Sequence, residues 1–262
     1  MSAVDPKVLK AYAEFADDIA NRARPITLKY FRQLSEKALK ADGSPVTIAD
    51  QECELLIRQL VTQAFPEHGV LGEEYGAQGP SRNMMWIIDP IDGTKSFIAG
   101  VPTYGTLLAL LHQGRPVLGV IDIPGLNERW SATTQTPTMM NEQQVMTASC
   151  NKITRSVLAI ISPERFATSD QSALQQLDAN SGICHYSSDG YAYGLLASGY
   201  VNLVVAANQQ PFDYLPVVNI IEQAGGCITD WNGDALGFES DGRVLASANQ
   251  RLHDQALDLC RT

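Results

Sequence analysis

The 262-residue sequence predicts an α/β protein, and three features of its texture carry that reading. Apolar residues recur at helical spacing in the opening segment, short apolar runs parted by turn signals follow, and strands then alternate with helices to the end.

The first helix opens at Asp5 and Pro6. Leu9, Tyr12, Phe15, Ala16 and Ile19 line one face, until Pro25 is expected to stop it by removing an N–H and crowding the preceding turn. A second helix is expected from Ile48 to Phe65, started by a capping box of Thr47 and Asp50 and closed by Pro66. From Val70 to Val145 the runs MMWII, YGTLLALL and PVLGVIDI, parted by Gln113-Gly114 and Pro124-Gly125, predict an antiparallel meander. The polar stretch Thr133 to Gln144 reads as a joint between two halves, 1–142 and 143–262. In the second half SVLAII is a strand, YAYGLLASG a helix and VNLVVAA a strand. A helix from Leu215 to Ala224 is stopped by Gly225-Gly226, and CITD, an Asn232-Gly233 turn, RVLASA and a last helix complete it. There is no internal repeat and no low-complexity segment.

Composition narrows the function. A formal charge of -10 and a pI near 4.8 speak against nucleic acid or an anionic membrane as partner, since such surfaces repel an acidic protein that lacks a basic patch. The five cysteines and four histidines are scattered without metal-ligand spacing, which fits a reducing compartment and no zinc site. The N-terminal segment carries acids where a signal peptide carries bases, and no apolar run reaches membrane-spanning length, so a cytoplasmic enzyme is expected.

The chemistry gathers at Trp86-Ile-Ile-Asp-Pro-Ile-Asp-Gly-Thr-Lys-Ser-Phe97, an apolar strand that runs into an acidic turn. Asp89 and Asp92 flank Pro90, whose fixed φ lets both carboxylates converge on one or two cations. Gly93 and Thr94 then begin a short helix whose free N–H groups suit a phosphate. Gly72-Glu73-Glu74 adds a second acidic element at a strand end. Asp213 and Asp50 each have a bland alternative, as an N-cap and as the acid of the Thr47 box.

In their order along the chain, KADGSPVTIADQ, GEEYG, WIIDPIDGTKSF and FDYLPVVNIIEQAGG resemble the inositol monophosphatase family of magnesium-dependent phosphatases. The resemblance spans nearly the whole chain and implies a layered αβαβα sandwich with the site between its halves. It implies that Glu73, Asp89 and the carbonyl of Ile91 hold one Mg2+ and that Asp89, Asp92 and Asp213 hold a second. Asp50 and Thr94 are implied as the hydrogen-bonded pair that orients the attacking water, and with Glu73 they form the expected catalytic set. The resemblance further implies that Gly93 and Thr94 bind phosphate, that Glu74 supports the loop and the water, and that Lys40, in a loop with Gly43 and Pro45, orders a further metal or water. Two or three ions, inhibition by Li+, and a homodimer are further implications.

Within the family the resemblance is closest to the histidinol-phosphate phosphatase branch, through SFIAGVPTYGTLLAL and YAYGLLASGYVNLVV. Two residues depart from it: Ala206 and Asn202 stand where acids are expected. Asp189 is left to bind a substrate amine or hydroxyl, with Ser162, Asp92 and Asp213 beside it. The expected activity is hydrolysis of histidinol phosphate, with an inositol phosphate, a phosphosugar or a nucleotide phosphate as rival substrates. A regulatory metal-binding module of the same fold is the non-enzyme rival.

Overall fold

The structure is a computed structural model that describes residues 4–33, 38–39, 45–80, 83–187 and 189–261, without the side chains of 38, 39, 45 and 46. It begins with α1 (Pro6–Tyr30), capped by Asp5, whose Oδ1 accepts the N–H of Lys7 at 2.8 Å. The helix runs through Pro25 instead of stopping there. Its buried stripe continues to Ala23 and Thr27, and Arg24 is tied to the buried Asp122 (Nε to Oδ2, 3.1 Å), so packing on the sheet outweighs one lost backbone bond. A two-strand ribbon, β1 (Ala38–Leu39) and β2 (Pro45–Val46), precedes α2 (Ile48–Ala64), which has the expected Thr47–Asp50 capping box.

Eight strands form the first sheet: β3 (Gly69–Gly72), β4 (Gly76–Gln78), β5 (Met84–Asp92), β6 (Gly105–His112), β7 (Arg115–Ile123), β8 (Glu128–Thr133), β9 (Thr136–Met140) and β10 (Gln143–Gln144), in the order β10-β9-β8-β7-β6-β5-β3-β4. From β5 onward it is the expected antiparallel meander, but β3 pairs with β5 in parallel, because the chain makes the β4 excursion between them. The polar stretch read as a joint instead forms the end of β8 with β9 and β10. Its polarity is that of strands at a solvated edge, where residues of β9 and β10 lie largely open.

The second sheet holds β11 (Val157–Ile161), β12 (Ile183–Ser187), β13 (Leu203–Ala206), β14 (Cys227–Thr229) and β15 (Val244–Ser247), in the order β12-β11-β13-β15-β14. Around the sheets lie α3 (Thr94–Ala99), α4 (Gln171–Asn180), α5 (Tyr191–Ala197), α6 (Pro211–Gln223) and α7 (Gln250–Cys260). The helix expected from Leu215 starts at Pro211, since a proline at the first helical position costs no bond.

Alternation along the strands sorts the core into layers. Trp86, Ile88, Leu108 and Leu110 pack against α1 and α2, while Met85, Ile87, Leu107 and Ala109 point to the other face. That other face meets α5, α6 and the inner residues Ala159, Val204 and Ala246 of the second sheet in one continuous core. Leu158, Val205 and Leu245 face outward onto α4 and α7. The result is a five-layer αβαβα sandwich with α5 and α6 between the sheets.

Candidate metal and phosphate site

Strict alternation would send Asp89 and Asp92, three residues apart, to opposite faces of β5. The pairing with β6 shifts register between them, and this irregularity at Pro90-Ile91 turns both carboxylates to one side. Thr106 holds the turn by donating to the Pro90 carbonyl at 2.9 Å, and the Ile91 N–H donates to Asp89 Oδ1 at 3.1 Å. Asp213 arrives from α6. It is not the N-cap, which is Gln210, but the third residue of the helix, and its Oδ2 accepts the Gln210 N–H at 2.8 Å.

Carboxylate oxygens of Asp89, Asp92 and Asp213 lie within 4.8 Å of one another. So many acids in a buried place resist ionisation. Burial, then Glu73, Asp92 and Asp213, hold the Asp89 carboxyl well above the usual range, and burial followed by Asp189 and Asp213 does the same to Asp92. Burial pushes Asp213 up to about 6, against the Gln210 N–H, Arg165 and a hydrogen bond from Asp89, which lower it. Without a cation the cluster is therefore harder to ionise than free carboxylates. An all-oxygen set under this repulsion fits a hard divalent ion such as Mg2+.

Glu73 follows β3, its N–H bonded to the Ile88 carbonyl at 3.2 Å, and its charge acts on Asp89, Asp213 and Asp50. Asp50 is fully buried and burial pushes it up to about 6, opposed first by the Thr47 hydroxyl and N–H. Those two donors reach its Oδ2 at 2.5 and 2.8 Å, and among the described residues Oδ1 has no partner. The expected Asp50–Thr94 hydrogen bond is replaced: Thr94 Oγ1 donates to the Ile91 carbonyl at 3.2 Å, while the capping box takes one oxygen of Asp50. The same Ile91 carbonyl was the expected backbone ligand.

Gly93 caps α3 in the left-handed region (φ 76°), and a Cβ there would meet the Cβ of Asp189 at 2.6 Å. Asp92 Oδ2 accepts the Gly190 N–H, a bond between the two sheets' loops that a side chain at Gly190 would crowd. Asp189, expected to bind a substrate amine or hydroxyl, is buried, and its Oδ2 accepts Ser96 Oγ at 2.7 Å and Thr103 Oγ1 at 2.6 Å, so it braces the first turn of α3. Ser162, in the left-handed region (φ 47°), follows β11 and precedes the turn Pro163–Arg165. Asn202 bonds Val157 N at 2.9 Å at the start of β11, the end of the strand away from Ser162, so its difference from an acid does not bear on the site. Ala206 lies at the other end of β13 and is fully buried. Lys40 and Gly43 lie outside the described residues, as does the side chain of Pro45.

Sequence reasoning passed over Arg165, whose guanidinium stands 3.7 Å from Asp213 Oδ2, and the Glu54–Arg58 pair. The pair had a signal: opposite charges four apart within the apolar stripe Ala49, Cys53, Ile57, Val61. Arg165 had none, being brought in by a turn.

A family model described as the inositol monophosphatase family matches residues 9–262, and with it the segments bearing Asp50, Glu73, Asp89, Asp92 and Asp213. The chain belongs to the inositol monophosphatase family. It is accordingly a phosphoric monoester hydrolase. Among relatives of this family, the bifunctional phosphatase IMPL2 of Arabidopsis thaliana is 39% identical over 259 residues, 95% of this chain and 75% of that protein. A histidinol-phosphatase of Chlorobaculum parvum is 35% identical, covering 89% of this chain and 91% of its own. The solved inositol monophosphatase of Zymomonas mobilis superposes with a TM-score of 0.89 at 35% identity, over 97% of this chain and 98% of that one.

Proposed function

We propose that this phosphatase acts on histidinol phosphate, releasing histidinol and inorganic phosphate, and that it does so with Mg2+ held by Glu73, Asp89, Asp92, Asp213 and the Ile91 carbonyl. The observation that carries the metal reading is the convergence within 4.8 Å of three carboxylates from two distant elements, Asp89 and Asp213 buried and Asp92 partly so. Bound there, Mg2+ supplies a Lewis acid that acidifies water and offsets phosphoryl charge. The rest falls to the chain. Asp50 Oδ1, buried and without a partner among the described residues, accepts a proton from the attacking water, and a pKa of about 6 suits a base near neutrality. The amides of Gly93 and Thr94 hold the phosphate, while Asp189 fixes the turn that presents them.

The choice of substrate rests on the histidinol-phosphatase relative at 35% identity over nearly the whole chain. Inositol monophosphate is the second reading, favoured by the solved relative of equal identity. The five free cysteines support a reducing cytoplasm as the setting, and a homodimer is our expectation from the family. No described helix is long and apolar enough to cross a membrane.

Phosphate release from histidinol phosphate, inositol 1-phosphate and a nucleotide monophosphate, at fixed Mg2+, tests the proposal. Histidinol phosphate should have the highest kcat/KM, Li+ in the millimolar range should inhibit, and Asp92→Asn should lower kcat at least 100-fold while the protein stays folded. A higher kcat/KM for inositol 1-phosphate would replace the substrate assignment, and an active Asp92→Asn enzyme would remove the metal assignment.

A further inference from the structure

We propose that Glu54 and Arg58 are positioning residues that fix where Glu73 stands, and thereby set the affinity of the site for its divalent cation. The proposal rests on the reading of Glu73 as a metal ligand.

Both side chains are almost wholly removed from solvent, at 0% and 7% exposure, and they pair one turn apart on α2, with Arg58 Nε 2.7 Å from Glu54 Oε1. A buried ion pair gains little stability over apolar residues of the same volume, because desolvation cancels much of the attraction. What distinguishes this one is where its remaining bonds go. Glu54 Oε2 accepts the N–H of Glu74 at 2.7 Å and Oε1 that of Tyr75 at 3.2 Å. Arg58 donates to the Gly76 carbonyl and, at 3.2 Å, to Gln78 Oε1. All four bonds land on the segment that follows Glu73.

Gly72, on its other side, completes the clamp. A Cβ there would come within 2.1 Å of Glu54 Oε1, so the carboxylate lies against bare backbone. Glu73 is thus fixed at both neighbours by one side chain. That side chain also lies one helical turn beyond Asp50, so a single rigid helix delivers Asp50 directly and Glu73 through the clamp. Groups that orient metal ligands in this way commonly govern affinity by 10–100-fold.

Calorimetric titration of Mg2+ into wild type, Glu73→Gln, Glu54→Gln and Arg58→Lys tests the inference, with substrate KM measured at saturating Mg2+. Arg58→Lys keeps a charge for Glu54 but cannot reach both Gly76 and Gln78, and it decides the matter should Glu54→Gln fail to fold. We expect Glu73→Gln, Glu54→Gln and Arg58→Lys each to weaken Mg2+ binding at least tenfold, with KM unchanged for the last two. If Glu73→Gln weakens binding while both clamp variants stay within twofold of wild type, the clamp is overturned and the metal reading stands. If wild type does not bind, or Glu73→Gln binds as wild type does, the metal reading fails and takes the clamp with it.

Discussion

His253 shows how one buried residue makes stability depend on pH without touching the site. Its ring lies against Ser247 Oγ (2.7 Å) and Thr229 Oγ1 (2.8 Å), and burial lowers its pKa to about 4. The folded state therefore prefers the neutral ring. Its contribution is fully present above the unfolded value near 6.5 and is lost as pH falls through about 4, a span worth up to roughly 3 kcal/mol. Urea unfolding from pH 7 to pH 4 should show wild type losing more stability than His253→Gln, with the two curves converging toward acid. Parallel curves would show that the ring titrates alike in both states. At this scale the sequence was legible where motif and geometry coincide, as at Asp89 and Asp92, and illegible where a contact comes from folding alone. Nothing in Asp189 foretold that Ser96 and Thr103 would occupy it, and nothing in Thr94 that it would turn to the Ile91 carbonyl.

At the scale of elements, α6 must lie close to β7 for Asp213 to reach the cluster. Gly119 permits this, since a Cβ there would stand 2.0 Å from the Pro216 carbonyl oxygen. Gly119→Ala should push α6 outward, lowering stability by about 1–3 kcal/mol and weakening Mg2+ binding. Gly237→Ala, at a position with open space around it, should change stability by no more than about 0.5 kcal/mol. Equal melting temperatures and Mg2+ affinities for the two variants would contradict this packing account. Most elements were legible from periodicity and turn chemistry, and α2 with its capping box is the clearest. The misses share a cause: α1 past Pro25, the parallel β3–β5 pair and the polar edge strands β9 and β10 are all decided by where the segment lies in the fold and not by its local pattern. The exposed edge strand β12 and the weakly amphipathic α4 went unread for the same reason.

Across the whole molecule, the middle core joins both sheets, so the halves expected at 1–142 and 143–262 do not bury their apolar faces separately. We propose that they unfold as one unit. The three tryptophans report on the three largest cores among the described residues: Trp86 between α1, α2 and the first sheet, Trp130 in the shared middle, and Trp231 beneath α4 and α7. Variants keeping one tryptophan each should give coincident denaturation midpoints, whereas separate midpoints would mean that the layers unfold in turn. The same architecture makes the site a product of the whole fold, because Asp89 and Asp92 come from one sheet and Asp213 from the helix between the two.

The most direct test of this account is calorimetric titration of Mg2+ near pH 6 in buffers of different ionisation enthalpy. Burial and mutual repulsion raise the proton affinity of these carboxyls, so binding near pH 6 should release protons to the buffer, and the release should shrink as pH rises. Saturable binding with a buffer-dependent heat, lost in Asp213→Asn, is the predicted result. No binding, or binding whose heat is the same in every buffer, would contradict it.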